Sequence, residues 1–301
     1  MTLAESILAN TMLASAPLIL AAMAGILSER SGVANIALEG KMLLGAFVAI
    51  PVAATWGIPA GIGAALLAGL LLGLLHAAAT QTMRVGPIVS GVAINILAAG
   101  LTAYLARLGV FPLAANGPGV WMVPGLGGIP VLGPILFQQS PFTYFAWLTV
   151  AAMAFFLWKT PWGLRVTAAG ESPEAVRAAG VNVTRLRFAT VGAAGMLAAV
   201  GGAQLSLGLV QNFTVNMTAG RGFIALAAVV FGRWRPVGAF VACLFFALAD
   251  ALASGLQLKP AIAARVPTEF LNMLPYLATL IALVFFSRQV HPPSALSETS
   301  E

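Results

Sequence analysis

Charge is what this sequence has least of. Only 8 % of its 301 residues are Asp, Glu, Lys or Arg, while 60 % are hydrophobic; an ordinary soluble domain is roughly 25 % charged. Fifteen basic and nine acidic side chains cannot furnish a water-facing surface for a chain this long, so the solvent is lipid. Cysteine is nearly absent: Cys243 stands alone, which excludes a disulfide scaffold. Two histidines and that one thiol offer no metal-ligand constellation. The net charge of +6 is carried by scattered residues without a basic run, which argues against a nucleic-acid partner. In a membrane chain such an excess reports orientation instead.

What is abundant is apolar sequence in lengths that suit a bilayer. A core of about 30 Å needs roughly 20 apolar residues in helical form. Such stretches occur at 8–27, 33–55, 60–82, 86–106, 142–158, 188–210, 236–256 and 270–287, with a shorter one at 222–232 that reads as a half-helix. Runs such as Ala64 to Leu72 do not alternate, as the strands of a closed barrel would. The predicted fold is therefore all-α, a polytopic helical bundle. No basic segment precedes the first span, where Glu5 is the only charge, so it is expected to be a span and not a cleaved leader.

Two segments flank the fifth span. Residues 159–187 carry Lys159, Arg165, Arg177, Arg185 and Arg187, whereas 108–141 carry no charge. The positive-inside rule puts 159–187 in the cytoplasm and 108–141 outside as a Gly/Pro-rich loop. Alternation then places 11 of the 15 basic residues inside, and with them a short C-terminal tail, 288–301. With nine spans the N-terminus lies outside.

Two segments look interrupted at membrane depth: Ser28 to Met42 and Asn212 to Phe223. Both place polar residues and glycines just ahead of an apolar run, a pattern that points to a site near the midplane. Asn35 and Glu39 stand four apart, as on one helical face, with Lys41 and Arg30 as nearby ion-pair partners for Glu39. Asp250 has no cation near in sequence and needs one from another helix, Arg221 or Arg107. His76 reads as a hydrogen-bonded core residue. Gly201, Gln204, Gly208 and Gln211 form one small, amide-bearing stripe at helical spacing, and Asn95 with Thr102 another. Amides both donate and accept without charge; here they either bind helix to helix or exchange with the water of a neutral heterocyclic or hydroxylated solute. Asn35, Glu39, Asn95, Gln204, Gln211, Asn212 and Asn216 are the expected pathway residues, with Arg30, Arg221 and Asp250 as structural or gating charges.

The chain carries no engine of its own. Its one Gly-Lys, Gly40-Lys41, lacks the rest of a phosphate-binding loop, and Glu39, His76 and Asp250 are too few and too scattered for a proton relay. It also lacks the Ser-His pair, His-Glu-x-x-His run or paired carboxylates an enzyme would need. A passive pathway driven by a separate subunit follows. Within 159–187, Gly170-Glu171-Ser172-Pro173-Glu174-Ala175 to Arg177 and Gly180 predict a short helix. Ser172 is placed as N-cap, Pro173 at the first position and Gly180 as the C-terminal glycine. Such a knob either seats in a soluble motor domain or is an ordinary loop helix.

Three stretches resemble one family. Ser28-Glu29-Arg30-Ser31-Gly32-Val33-Ala34-Asn35-Ile36-Ala37-Leu38-Glu39-Gly40 resembles the N-terminal signature of nucleoside-type ABC importer permeases. These sit within the superfamily of sugar and branched-chain amino acid permeases. Gly163-Leu164-Arg165 through Gly180-Val181-Asn182 is similar to that superfamily's coupling segment. Thr218-Ala219-Gly220-Arg221-Gly222-Phe223 through Phe231-Gly232-Arg233-Trp234 is similar to its third signature, and Met273-Leu274-Pro275-Tyr276 to its last span. Lys41 departs from the apolar residue this group often has there. The resemblance covers nearly the whole chain as one permease domain, 1–301. It implies about ten spans in two inverted halves, in a bacterial inner membrane. It also implies a second, related permease chain, a cytoplasmic ABC ATPase that uses the ATP, and an extracytoplasmic solute-binding lipoprotein. No cofactor would be bound by this chain, and the solute would be a nucleoside, purine by preference. The rivals are a pentose-type sugar permease of the same superfamily and a proton-driven secondary transporter.

Overall fold

Proline sets where many of the helices begin. Five of them open on one, at Pro87, Pro141, Pro161, Pro173 and Pro236, where the missing N–H is an orphan in any helix and φ is already helical. The computed structural model describes residues 2–257, isolated positions between 267 and 280, and 292–296. The span expected at 270–287 and most of the tail 288–301 fall outside the described residues.

The chain runs α1 (Leu3–Glu29), α2 (Leu38–Trp56), α3 (Ile58–Gln81) and α4 (Pro87–Arg107). A long loop follows, then α5 (Pro141–Lys159), α6 (Pro161–Glu171), α7 (Pro173–Ala178), α8 (Val183–Ala203), α9 (Arg221–Phe231) and α10 (Pro236–Gln257). Among the described residues seven helices are long and apolar enough to cross a membrane; α9 is shorter. The all-helical, multi-pass reading holds.

Two expectations need correction, and two further segments carry structure that the sequence reading did not specify. The second span begins at Leu38, not at residue 33, because residues 30–37 are unwound. The stretch 188–210 is not one regular helix: α8 starts at Val183 and passes at Gln204 into a π-helical turn, Gln204–Val210. The wider turn shifts the phase, so the stripe built on 3.6-residue spacing does not persist. Gln204 is fully buried, while Gln211, left-handed at φ +56°, is exposed. The outer loop is not featureless. It holds a small antiparallel pair, β1 (Trp121–Met122) with β2 (Gln138–Gln139), and a π turn at Gly133–Phe137. Finally, residues 161–171 form a full helix, α6, ahead of the expected knob.

Helix α1 is apolar all round and buried over most of its length, as a central helix of a bundle should be. It packs on α8, α9, α10 and α5. Helices α3 and α4 bury one face only and leave Leu67, Leu71, Val92 and Ile96 exposed toward lipid. Lipid gives no hydrophobic drive for helix pairing, so close contact of small residues supplies it. Helix α8 is built for this. A methyl built on Gly69 of α3 would stand 2.3 Å from the Gly195 carbonyl oxygen, and one on Gly202 would stand 1.8 Å from that of Met42 in α2. The Gly69/Gly73 pair is thus a helix-packing device.

Candidate functional site

The unwound stretch 30–37 is buried or half-buried between helices, where an unpaired carbonyl is costly. Its carbonyls are met by side chains from several helices. Ser31 O accepts from Arg187 Nε of α8 at 3.0 Å, Val33 O from Ser28 Oγ at 2.8 Å, and Ile36 O from Asn95 Nδ2 of α4 at 3.0 Å. Ala34 O lies 3.0 Å from His76 Nε2 of α3, and Ser90 Oγ lies 2.9 Å from Nδ1. A carbonyl only accepts, so Nε2 carries a proton; in the neutral ring Nδ1 then accepts from Ser90. His76 is a stapling residue of the core. Arg187, counted above among loop cations, is instead buried and also donates to Gln81 Oε1 at 3.1 Å.

At the α1 end of the stretch, Glu29 accepts from Trp234 Nε1 at 2.5 Å and from Asn35 N at 3.4 Å. Asn35 in turn accepts from Lys41 Nζ at 2.7 Å. Lys41 and Asn35 are both fully buried, and Asn35 Nδ2 has no partner among the described residues. Arg30 donates to Trp234 O at 3.0 Å and lies 3.8 Å from Glu171.

The two interrupted segments meet. Glu39, in the first turn of α2, accepts from Gly220 N at 2.8 Å and from Gly222 N at 2.6 Å. One carboxylate thereby satisfies two orphan N–H groups at the N-terminus of the short helix α9, where the helix dipole also favours negative charge. Helix α2 has no cap of its own. Asn95 of α4 provides it, accepting from Gly40 N at 2.8 Å. Two helix N-termini thus converge and are capped by residues from neighbouring helices. This corrects two expectations. Glu39 does not pair with Lys41 or Arg30, because backbone amides occupy its oxygens. Asn35 and Glu39 do not share a helical face, because Asn35 lies ahead of α2.

The second interruption meets the loop between α4 and α5. Residues 211–213 pair with 113–115 of the outer loop: Ala115 N donates to Gln211 O at 3.2 Å and Phe213 N to Leu113 O at 2.7 Å. Gln211 and Asn116 line a cleft of about 690 Å³ with Ala53, Ala54, Gly57 and Ala115. Asn212 is half-buried and Asn216 exposed. Gln204 lies apart from this cleft, its amide oxygen and nitrogen both without a partner among the described residues. Arg221 Nη2 stands 3.5 Å from Asp250 Oδ2, and both side chains are partly exposed.

At the opposite end, α6 and α7 project from the bundle. Thr160 caps α6 by accepting from Gly163 N at 3.0 Å. A methyl on Gly170 would stand 2.3 Å from Arg30 O, so α6 lies directly against the end of α1. Ser172 stands at the expected N-cap position of α7, at the kink between two helices, but its side chain makes no capping bond. Helix α7 ends in a Schellman turn. Gly180, at φ +79°, donates to Arg177 O at 2.9 Å and Val181 N to Val176 O at 3.2 Å. Only Val176 anchors α7; Glu174, Ala175 and Arg177 are exposed. The C-terminal turn Ser294–Leu296 docks here too, Ser294 Oγ lying 3.2 Å from Glu171 Oε2.

The described residues thus form a multi-pass helical bundle in which two interrupted helices are joined at their N-termini. Residues 7–283 match the family described as branched-chain amino acid transport system / permease component, and the chain belongs to that family. It is similar to the guanosine ABC transporter permease protein NupQ of Bacillus subtilis (strain 168), 40 % identical across 95 % of this chain and 93 % of that one. It is also similar to the nucleoside ABC transporter permease protein NupC of Lactococcus lactis subsp. cremoris (strain MG1363), 38 % identical across 97 % and 95 %. The putative glucose ABC transporter permease protein TsgC13 of Haloferax volcanii is 32 % identical across 99 % and 98 %. No solved structure matches the chain. Arg187, Gln81, Trp234 and Ser90 are site residues that sequence reasoning passed over; the signal available was a polar residue inside or beside an apolar run.

Proposed function

We propose that this chain is the translocation subunit of an ABC importer for nucleosides in a bacterial cell membrane. The observation that carries the reading is its near full-length similarity, at 40 % and 38 % identity, to permeases of guanosine and nucleoside systems. The pathway runs at the interface with a second permease chain of the same family. The outer cleft at Gln211 and Asn116 receives solute from a lipoprotein that docks on the loop 108–141. Neutral amides suit a ribose and a heterocyclic base, which exchange hydrogen bonds with water for others of the same kind. ATP bound by a cytoplasmic ATPase drives α7 through its exposed Glu174 and Arg177 face. Helix α6 passes that motion to the end of α1 through Glu171 and Arg30. The joined N-termini of α2 and α9 move as one body, with the chain arranged as two inverted halves and its C-terminus inside.

The test is uptake of labelled guanosine by cells expressing this chain with its partner subunits, in competition with unlabelled solutes. Unlabelled nucleosides should suppress uptake and pentoses should not. The reverse would transfer the chain to the sugar reading that the 32 % identity with TsgC13 favours. Uptake abolished by a protonophore while ATP is held constant would overturn an ATP-driven mechanism, as would solute accumulation by the purified chain alone in liposomes.

A further inference from the structure

A second cleft, of about 670 Å³, lies beside the C-terminal turn of α7, away from the junction of α2 with α9 and from the cleft at Gln211. Its inner wall is apolar and belongs to three membrane helices: Leu27 of α1, Phe156 of α5, and Ala189 and Ala193 of α8. Its rim is of a different character. Trp162 and Arg165 of α6 stand there with Arg185 at the start of α8, and no acidic residue lines the cleft. Trp162 is 60 % exposed, and the Arg165 guanidinium stacks over its ring at 5.0 Å from the centroid. Tryptophan at this depth marks the headgroup level of a bilayer.

From this juxtaposition we infer that the cleft holds one anionic phospholipid. An acyl chain lies along Phe156, Ala189 and Ala193, and the phosphate lies between Arg165 and Arg185. Each half of the cleft excludes another occupant. A soluble protein partner can reach the rim but not a wall set among membrane helices. A zwitterionic lipid fills the wall but leaves two arginines without net countercharge, although basic pockets between membrane helices on the cytoplasmic side select anionic headgroups. Free phosphate answers the rim and leaves the wall empty. The position gives the lipid a consequence as well. Its headgroup bridges the start of α6 and the start of α8, the two hinges between which α7 is slung.

The experiment is native mass spectrometry of the intact chain purified in mild detergent and offered phosphatidylglycerol or phosphatidylcholine of matched acyl chains. One phosphatidylglycerol should be retained per chain, in clear preference to phosphatidylcholine. The double variant Arg165→Gln/Arg185→Gln should retain it about 25-fold more weakly, roughly five-fold for each basic side chain. Ala189→Leu, which fills the wall and leaves the rim intact, should also lose it. A bromine placed on the acyl chain of bound phosphatidylglycerol should quench the fluorescence lost in Trp162→Phe. Equal retention of both lipids, or retention unchanged in either cleft variant with a melting profile like wild type, overturns the proposal. Displacement by inorganic phosphate at millimolar concentration, or by the purified ATPase subunit, does so too. None of these outcomes depends on which solute the chain carries.

Discussion

Replacing Glu39 by Ala tests the junction of the two interrupted helices directly. The carboxylate holds two backbone N–H groups, at 2.8 and 2.6 Å, and is nearly buried at 8 % exposure. Hydrogen bonds to a charged group contribute about 1.5–3 kcal/mol each, and a buried donor left unpaired costs about 1–3 kcal/mol. The favourable field at a partly buried helix terminus adds up to about 2 kcal/mol. Water entering the vacated space recovers part of this, so the expected loss is about 3–5 kcal/mol, near the upper end for single substitutions. Glu39→Gln presents one acceptor oxygen and one amide donor to two donors. It therefore keeps one bond and should cost about half as much. The assay is thermal unfolding of the detergent-purified chain, followed by tryptophan fluorescence. Gly222→Ala supplies the control for location, because its methyl would lie 2.5 Å from Glu39 N and so disrupts the same junction by crowding. If both act on one contact, Glu39→Ala/Gly222→Ala will fall well short of the sum of the single effects. An Ala variant as stable as wild type, or strict additivity in the double variant, would refute the capping argument.

Other perturbations are expected to separate just as cleanly. Exchanging charges on the exposed face of α7, Glu174→Arg with Arg177→Glu, should leave the melting profile of the chain unchanged while co-purification of the ATPase subunit falls; undiminished co-purification would remove α7 from the coupling path. Gly195→Val places side-chain atoms where a single methyl already stands 2.1 Å from the Gly69 carbonyl oxygen, so α3 and α8 must part, with a loss of 3 kcal/mol or more on the scale of severe overpacking (~1–3 kcal/mol, occasionally larger), read as poor recovery of monodisperse protein. Gly180→Ala forces a left-handed φ of +79° on a residue with a Cβ and should cost about 1 kcal/mol, visible as faster proteolysis around 178–182 with the bundle intact. Asp250→Asn releases Arg221 from a partly exposed pair 3.5 Å apart; a stability change under about 1 kcal/mol with altered uptake would mark the pair as a gate rather than a strut.

The fold was largely legible because lipid imposes a coarse code of apolar lengths, glycine spacing and charge asymmetry. Both interruptions were legible as well, from Gly32, Asn35 and Glu39 and from Asn212 through Gly222. Their meeting was not. Glu39 binds backbone amides, and an amide leaves no mark in a sequence, so the eye goes to Lys41 and Arg30 instead. The same reason hides the role of Arg187, whose acceptors are a carbonyl and the Gln81 amide oxygen. Gln204 and Gln211 were linked by a spacing that assumes a regular helix, and a π turn has no reliable signature in residue type. Helix α6 was passed over because Trp162, Leu164 and Arg165, all exposed, do not show the stripe of a helix buried on one side.

The stapling of residues 30–37 carries a consequence for how the chain is made. Its acceptor groups, and Glu29 just ahead of them, emerge from the ribosome first, but their donors arrive much later: His76 and Asn95 with the third and fourth helices, Arg187 with α8, and Trp234 Nε1, which donates to Glu29, only after α9. Until the later helices are made, the carbonyls of Ser31, Ala34 and Ile36 lack the partners they have in the folded chain. Maturation is ordered in time, and the last stitch at the α1 end of this segment closes only once Trp234 has been made and donates to Glu29.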